Sequence, residues 1–276
     1  MKQKRLVIFG DSFASTNIGV SLEESSGVIW FVELAKKLGL EIKNYAHPGT
    51  SFEYSIREFG RYISTIDYCE DDIIIFVMTS IYRSPILSED IPPHFASYMT
   101  SFLDGSLSKD HMAYEHYFKN KEMYKSLHKN YDTYLSDTIR KTLIITLKQL
   151  KNTCLVIPAF ESSFDFSKKN DPNILLAEDT STIVIKSNLY DISEKEIIEA
   201  GYPEFRNFFK RELRNCHLCN TNNTILAEQL YKCIENKNSD HFDEKKYKQN
   251  FIKMSTNSDE VDVSELPYFN QYAYSQ

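Results

Sequence analysis

The sequence predicts an α/β protein built on a parallel central sheet. Three observations carry that expectation. The chain opens on a short β-branched run, Leu6-Val7-Ile8-Phe9, which closes on Gly10-Asp11-Ser12. Strand-like and helix-like segments alternate from there to a third, wholly apolar strand, Ile73-Ile74-Ile75-Phe76-Val77-Met78. A further apolar run stands at Cys154-Leu155-Val156-Ile157. Runs of this length without polar alternation suit strands buried on both faces, and their alternation with helices calls for crossover connections.

Each element has its own signal. Residues 5–10 read as the first strand, ended by a turn of Gly and small polar residues. After a polar loop at 14–26, residues 28–38 place Ile29, Trp30, Val32, Leu34, Ala35 and Leu38 at helical spacing, with Gly39 as C-cap. Residues 40–45 alternate like a strand. His47-Pro48-Gly49-Thr50-Ser51 is a turn, and a helix follows through about Ile66. The pattern breaks after Thr79. Residues 84–110 are loop-like, with Pro85, Pro92, Pro93 and Gly105, and 111–151 read as helical. Residues 154–160 form a strand, and 161–212 are irregular or helical. A helix over 221–234 carries Ile225, Leu226, Leu230 and Ile234. The expected organisation is thus one domain over 1–236, with insertions at about 84–151 and 161–212, and a polar tail or arm at 237–276. No internal repeat or low-complexity tract interrupts it.

Composition narrows the function classes. The chain has 276 residues, 42% hydrophobic and 26% charged, which is the balance of a globular domain. Its net charge of −7, with no broad basic face, argues against a nucleic-acid partner. No stretch approaches the roughly 18 apolar residues of a membrane span. Met1-Lys2-Gln3-Lys4-Arg5 leads straight into a strand with no cleavage-site pattern, so a cytoplasmic protein is expected. Five cysteines, an odd number spread along the chain, do not suggest a disulfide framework. Cys216-His217-Leu218-Cys219 offers half a zinc site, but Cys69, Cys154 and Cys233 are isolated, so buried free thiols are expected and no metal or cofactor is called for. The 18 tyrosines and 18 phenylalanines serve packing first, and some can line a binding surface.

Ser12 carries the chemistry. A strand places its hydroxyl at a C-terminal sheet edge, where open α/β sheets bind ligands. Asp and Ser are also ordinary turn residues, so the tripeptide alone is ambiguous. A serine becomes a nucleophile when a base takes its proton, and histidine is the usual base. His217, in a loop just before the last helix, fits that need; His47 borders the same edge. His94, His111, His116 and His128 fall in the insertion and His241 in the tail. Acyl transfer also needs donors for the developing oxyanion. The backbone N–H groups of Ser12 and of the Gly49 turn are candidates.

This arrangement resembles the SGNH or GDSL-type hydrolases. Phe9-Gly10-Asp11-Ser12-Phe13 is similar to their first motif, and Asn44-Tyr45-Ala46-His47-Pro48-Gly49-Thr50-Ser51 to their second, with Gly49 as the donor glycine. His217-Leu218, followed by Asn222-Asn223-Thr224-Ile225-Leu226-Ala227-Glu228, resembles the last. The resemblance implies a flavodoxin-like three-layer α/β/α sandwich with a central parallel sheet, here carrying a helical insertion. It also implies an esterase acting on a small acyl ester, such as O-acetyl groups of a carbohydrate. Ser12 is then the nucleophile and His217 its base. Asp11, which orders the turn, and Arg83, a permanent cation able to hold an anionic group, fall on the substrate side.

Two motifs depart from the family. The third has no Gly-x-Asn-Asp: Met78 is followed by Thr79-Ser80-Ile81-Tyr82-Arg83, so the asparagine donor is missing and Thr79, Ser80 or Arg83 could supply one instead. Arg214 stands where the family's imidazole-orienting aspartate would be, leaving a Ser-His dyad or a substitute acid such as Glu212 or Asp191. The alternatives are an O-acyltransferase, or a catalytically inactive binding or assembly protein on the same scaffold.

Overall fold

The computed structural model describes residues 3–15, 28–79, 83–84, 97–98, 107, 109–110, 113–130, 136–159, 182–185, 187–189, 192, 218 and 220–247. Strands β1 (Arg5–Phe9), β2 (Glu41–Asn44), β3 (Ile73–Met78), β6 (Thr153–Pro158) and β7 (Thr182–Val184) form a five-stranded sheet. Every pairing in it is parallel, and the order is β2-β1-β3-β6-β7. Numbered within the sheet, this is 2-1-3-4-5, the doubly wound order whose switch point lies between the first and third strands. A separate two-residue ribbon pairs β4 (Arg83–Ser84) with β5 (Ser97–Tyr98).

The period of two along each strand divides the core. Leu6, Ile8, Ile73, Ile75, Val77, Leu155 and Ile157 face one layer, packed with α1 (Trp30–Leu38) and α6 (Asn220–Asn236). Val7, Phe9, Ile74, Phe76, Cys154 and Val156 face the other, packed with α2 (Phe52–Ile63) and α5 (Ser136–Gln149). The result is a three-layer α/β/α fold, with β1 and β3 covered on both sides.

The structure refines the expected organisation in three places. Helices α3 (Tyr114–Lys119) and α4 (Lys121–Asn130) are the insertion's own, but α5 belongs to the scaffold: Leu143, Ile144 and Leu147 seat it on the sheet as the crossover that parallel β3 and β6 require. β7 lies inside a region expected to be irregular or helical. Its β-branched Thr182-Ile183-Val184 suits a strand, but three residues are too short for periodicity to register. The folded unit also continues past 236. Gln229 exchanges two hydrogen bonds with the backbone of Asp243 (3.0 and 3.2 Å), and Phe242 and Tyr247 pack on the core. The remainder of the tail lies outside the described residues.

At the N-terminal edge of the sheet, Asp72 is wholly buried and joins β1 to β3. It accepts from the backbone N–H of Arg5 (2.8 Å), from the Arg5 guanidinium (2.8 Å) and from the Tyr62 hydroxyl (2.8 Å). Its carbonyl accepts from Asn152 Nδ2 at 2.8 Å, which carries the network on to β6. A buried charge is tolerated when it is paired and hydrogen-bonded in this way. Among the described residues no helix is long and apolar enough to cross a membrane. Removing the carboxylate in Asp72→Ala strands the Arg5 charge, and the expected loss of unfolding free energy is about 3–5 kcal/mol. Urea denaturation measures it; a loss below about 1 kcal/mol would show that the network is dispensable.

Candidate functional site

The site begins with a steric demand. β1 ends so close to β3 that a Cβ on Gly10 would lie 2.8 Å from Val77 Cβ and 2.9 Å from the Val77 carbonyl oxygen. Gly10 also has φ of 154°, a conformation that side chains disfavour. Only glycine lets the strand turn here, and the turn delivers Asp11, Ser12 and Phe13 to the C-terminal edge of the sheet at its switch point.

The turn is then held from within and from three sides. Asp11 Oδ1 accepts from the backbone N–H of Phe13 (3.1 Å), and Ala14 N–H closes the turn onto the Asp11 carbonyl (3.1 Å). From β3, the Thr79 hydroxyl donates to Asp11 Oδ2 at 2.5 Å. From β2, Asn44 Nδ2 donates to the Ala14 carbonyl (2.8 Å), while its Oδ1 accepts from Ala46 N–H (2.8 Å). From α1, Trp30 Nε1 donates to the Phe13 carbonyl (2.9 Å). Ser12 is left with 3% exposure.

The 47–50 turn docks on the same edge. The backbone N–H of His47 donates to the Gly10 carbonyl at 3.2 Å, and the Thr50 hydroxyl donates to the His47 carbonyl at 2.7 Å. Gly49 takes φ of 70°, which the chain reversal requires. His47 Nδ1 stands 3.1 Å from the Pro48 carbonyl, a contact that the Nδ1-protonated ring makes as donor. Arg83 closes the cluster. Its side chain is 11% exposed, and Nη1 donates to the Thr50 carbonyl (3.2 Å) and lies 3.8 Å from Asp11 Oδ2.

Of the residues expected to form the site, Ser12, Asp11, Gly49, Thr79 and Arg83 therefore converge on one edge. His217 and Ser80 lie outside the described residues, as do Arg214, Glu212 and Asp191. Two expected roles meet definite geometry. The Thr79 hydroxyl gives its single proton to Asp11, so in this arrangement it is not an oxyanion donor. Asp11 is wholly buried, with both oxygens accepting from the protein, which is the geometry of a turn-ordering residue. The isolated thiols Cys154 and Cys233 are buried, and burial raises them to about 12 and about 11. Among the described residues no group of three or more His, Cys, Asp or Glu is placed to hold a metal ion.

Two features were missed in the sequence. Asn44 and Trp30 read as part of a motif and as core, yet both hydrogen-bond the Ser12 turn. Glu53, in the first turn of α2 just after the Gly49 loop, is half-buried, and both its carboxylate oxygens are shielded from solvent without a hydrogen-bond partner. Burial raises its carboxyl from the ordinary 4.5 to about 7. No family model, no curated protein and no solved structure matches the chain.

The raised carboxyl of Glu53 makes folding take up a proton between pH 4.5 and 7. Stability therefore falls as pH climbs through that window, by on the order of 3 kcal/mol at about 1.4 kcal/mol per pH unit. Glu53→Gln cannot titrate, so the stability difference between wild type and variant should move by about that amount between pH 4.5 and 8, in the variant's favour. Denaturant midpoints at the two pH values test this, and a pH-independent difference would reject it. Gly10→Ala forces the β1–β3 approach apart and should cost about 2–4 kcal/mol, read as a lowered thermal midpoint. A midpoint unchanged from wild type would mean that the close approach relaxes freely.

Proposed function

We propose that the chain is a serine ester hydrolase of SGNH/GDSL type, acting on a small acyl ester such as an O-acetyl group on a carbohydrate. The observation that supports this most is the convergence at the switch point: the turn bearing Ser12, the Gly49 turn and the end of β3 are joined by the His47–Gly10 and Thr79–Asp11 hydrogen bonds. A nucleophile beside a glycine turn on a rigid edge suits acyl transfer, because oxyanion donors work when they are fixed in advance.

In this reading Ser12 Oγ attacks the ester carbonyl while His217 takes the hydroxyl proton. The N–H groups of Ser12 and Gly49 hold the tetrahedral oxyanion. His217 returns the proton to the leaving alcohol as the C–O bond breaks, and an acyl-serine remains. Water, deprotonated by the same imidazole, releases the acid. An alcohol in place of water would give the acyltransferase reaction. Arg83 sits beside the Gly49 turn, where it can meet an anionic group of the substrate. With Arg214 in place of the family's aspartate, a backbone carbonyl or another acid must orient the ring.

One observation favours a second reading, a non-catalytic binding protein on the same scaffold. The hydroxyl that stands in for the family's asparagine donor is committed to Asp11. The two readings separate on one assay. With p-nitrophenyl acetate, Ser12→Ala is expected to lower turnover by about a thousandfold, and a fluorophosphonate should label wild type at Ser12. Equal rates in both proteins, with no labelling, would leave the binding protein.

A further inference from the structure

Helix α1 begins without a cap of its own. The residue preceding it, Ile29, makes no side-chain capping bond, which leaves orphan N–H groups in the first turn. The partner for one of them comes from 193 residues away: Asn223 Oδ1, in the first turn of α6, accepts from the Trp30 N–H at 3.2 Å. The other half of the same amide, Nδ2, donates to the Leu218 carbonyl at 2.7 Å. Trp30 in turn uses its indole N–H to hold the Phe13 carbonyl at 2.9 Å. Leu218, Asn223, Trp30 and Phe13 are all buried, so the relay is shielded from competing water.

The relay starts one peptide bond from His217 and ends one peptide bond from Ser12. We propose that Asn223 is a positioning residue that fixes the His217 segment against the Ser12 turn through Leu218 on one side and Trp30 on the other. The proposal rests on the Ser12–His217 reading of function. Its physical basis is that both ends of one rigid planar amide are used, so α1, α6 and Leu218 cannot shift independently. A base must sit within about 2.6–3.2 Å of the hydroxyl it serves, and a displacement near 1 Å costs about a hundredfold in rate.

Asn223→Asp separates the two bonds. It keeps an acceptor for the Trp30 N–H and turns a second acceptor, in place of the donor, toward the Leu218 carbonyl. The expected result is a fall in kcat of about tenfold or more with KM little changed. A readout independent of turnover uses Ser12→Cys with His217→Cys in the full chain, with Cys216 and Cys219 replaced by serine. Dibromobimane, which becomes fluorescent on bridging two close thiols, reports their proximity. Bridging should occur in this parent and slow by about tenfold when Asn223→Asp is added, at matched folded fraction by circular dichroism. If that variant does not fold, Trp30→Phe serves instead, because it keeps a large ring and removes only the bond to Phe13. Bridging at the parent rate in a folded variant overturns the positioning role. Absence of bridging in the parent overturns the Ser12–His217 pairing itself, and the positioning role with it.

Discussion

The C-terminal edge of the sheet is organised around one buried carboxylate, that of Asp11. Its two oxygens accept from Phe13 N–H and from the Thr79 hydroxyl, with the Arg83 guanidinium at 3.8 Å. A wholly buried carboxylate without such partners would be strongly destabilising. Satisfying it compels the end of β1, the end of β3 and the start of β4 to meet. The 47–50 turn is drawn in through Arg83 and Gly10, so the position of every described candidate site residue follows from this one requirement and from the absence of a side chain at residue 10.

A second buried acid does the same at the opposite edge. Asp72 binds Arg5 and Tyr62, and its carbonyl engages Asn152. β1 and β3 are thereby pinned at both ends, with Leu6 opposite Ile73 and Phe9 opposite Phe76 between the pins. Apolar contact alone would fix that register weakly, since these strands offer similar surfaces to both faces of the sheet. The polar anchors make a slip costly, because it would leave charges buried and unpaired.

Glu53 shows the contrast. Its carboxylate oxygens are shielded from solvent, yet neither is bonded, and burial raises its carboxyl to about 7. In the sequence Asp11 stands between Gly10 and Ser12, Asp72 ends the acidic run Glu70-Asp71-Asp72, and Glu53 lies between Phe52 and Tyr54. Whether distant donors reach each of them is a property of the packed chain.

The order of elements, the burial of β3 and the glycine turns after β1 and β2 were legible in the chain because they rest on local features: apolar runs, helical spacing, and residues suited to sharp turns. β3 spans the residues its apolar run marks, and Gly39 caps α1 with φ of 66°. Other features were not legible. The sequence could not show that Thr182-Ile183-Val184 completes the sheet or that α5 is scaffold and not insertion. Nor could it show that the Thr79 hydroxyl is committed to Asp11 or that Asn223 caps a helix nearly 200 residues away. Each depends on groups far apart along the chain coming within about 3 Å, and hydrogen bonds of that reach leave no periodic trace in a sequence. Local chemistry determined which side chains were available for a site at this sheet edge; tertiary packing decided which of them are already bonded to one another.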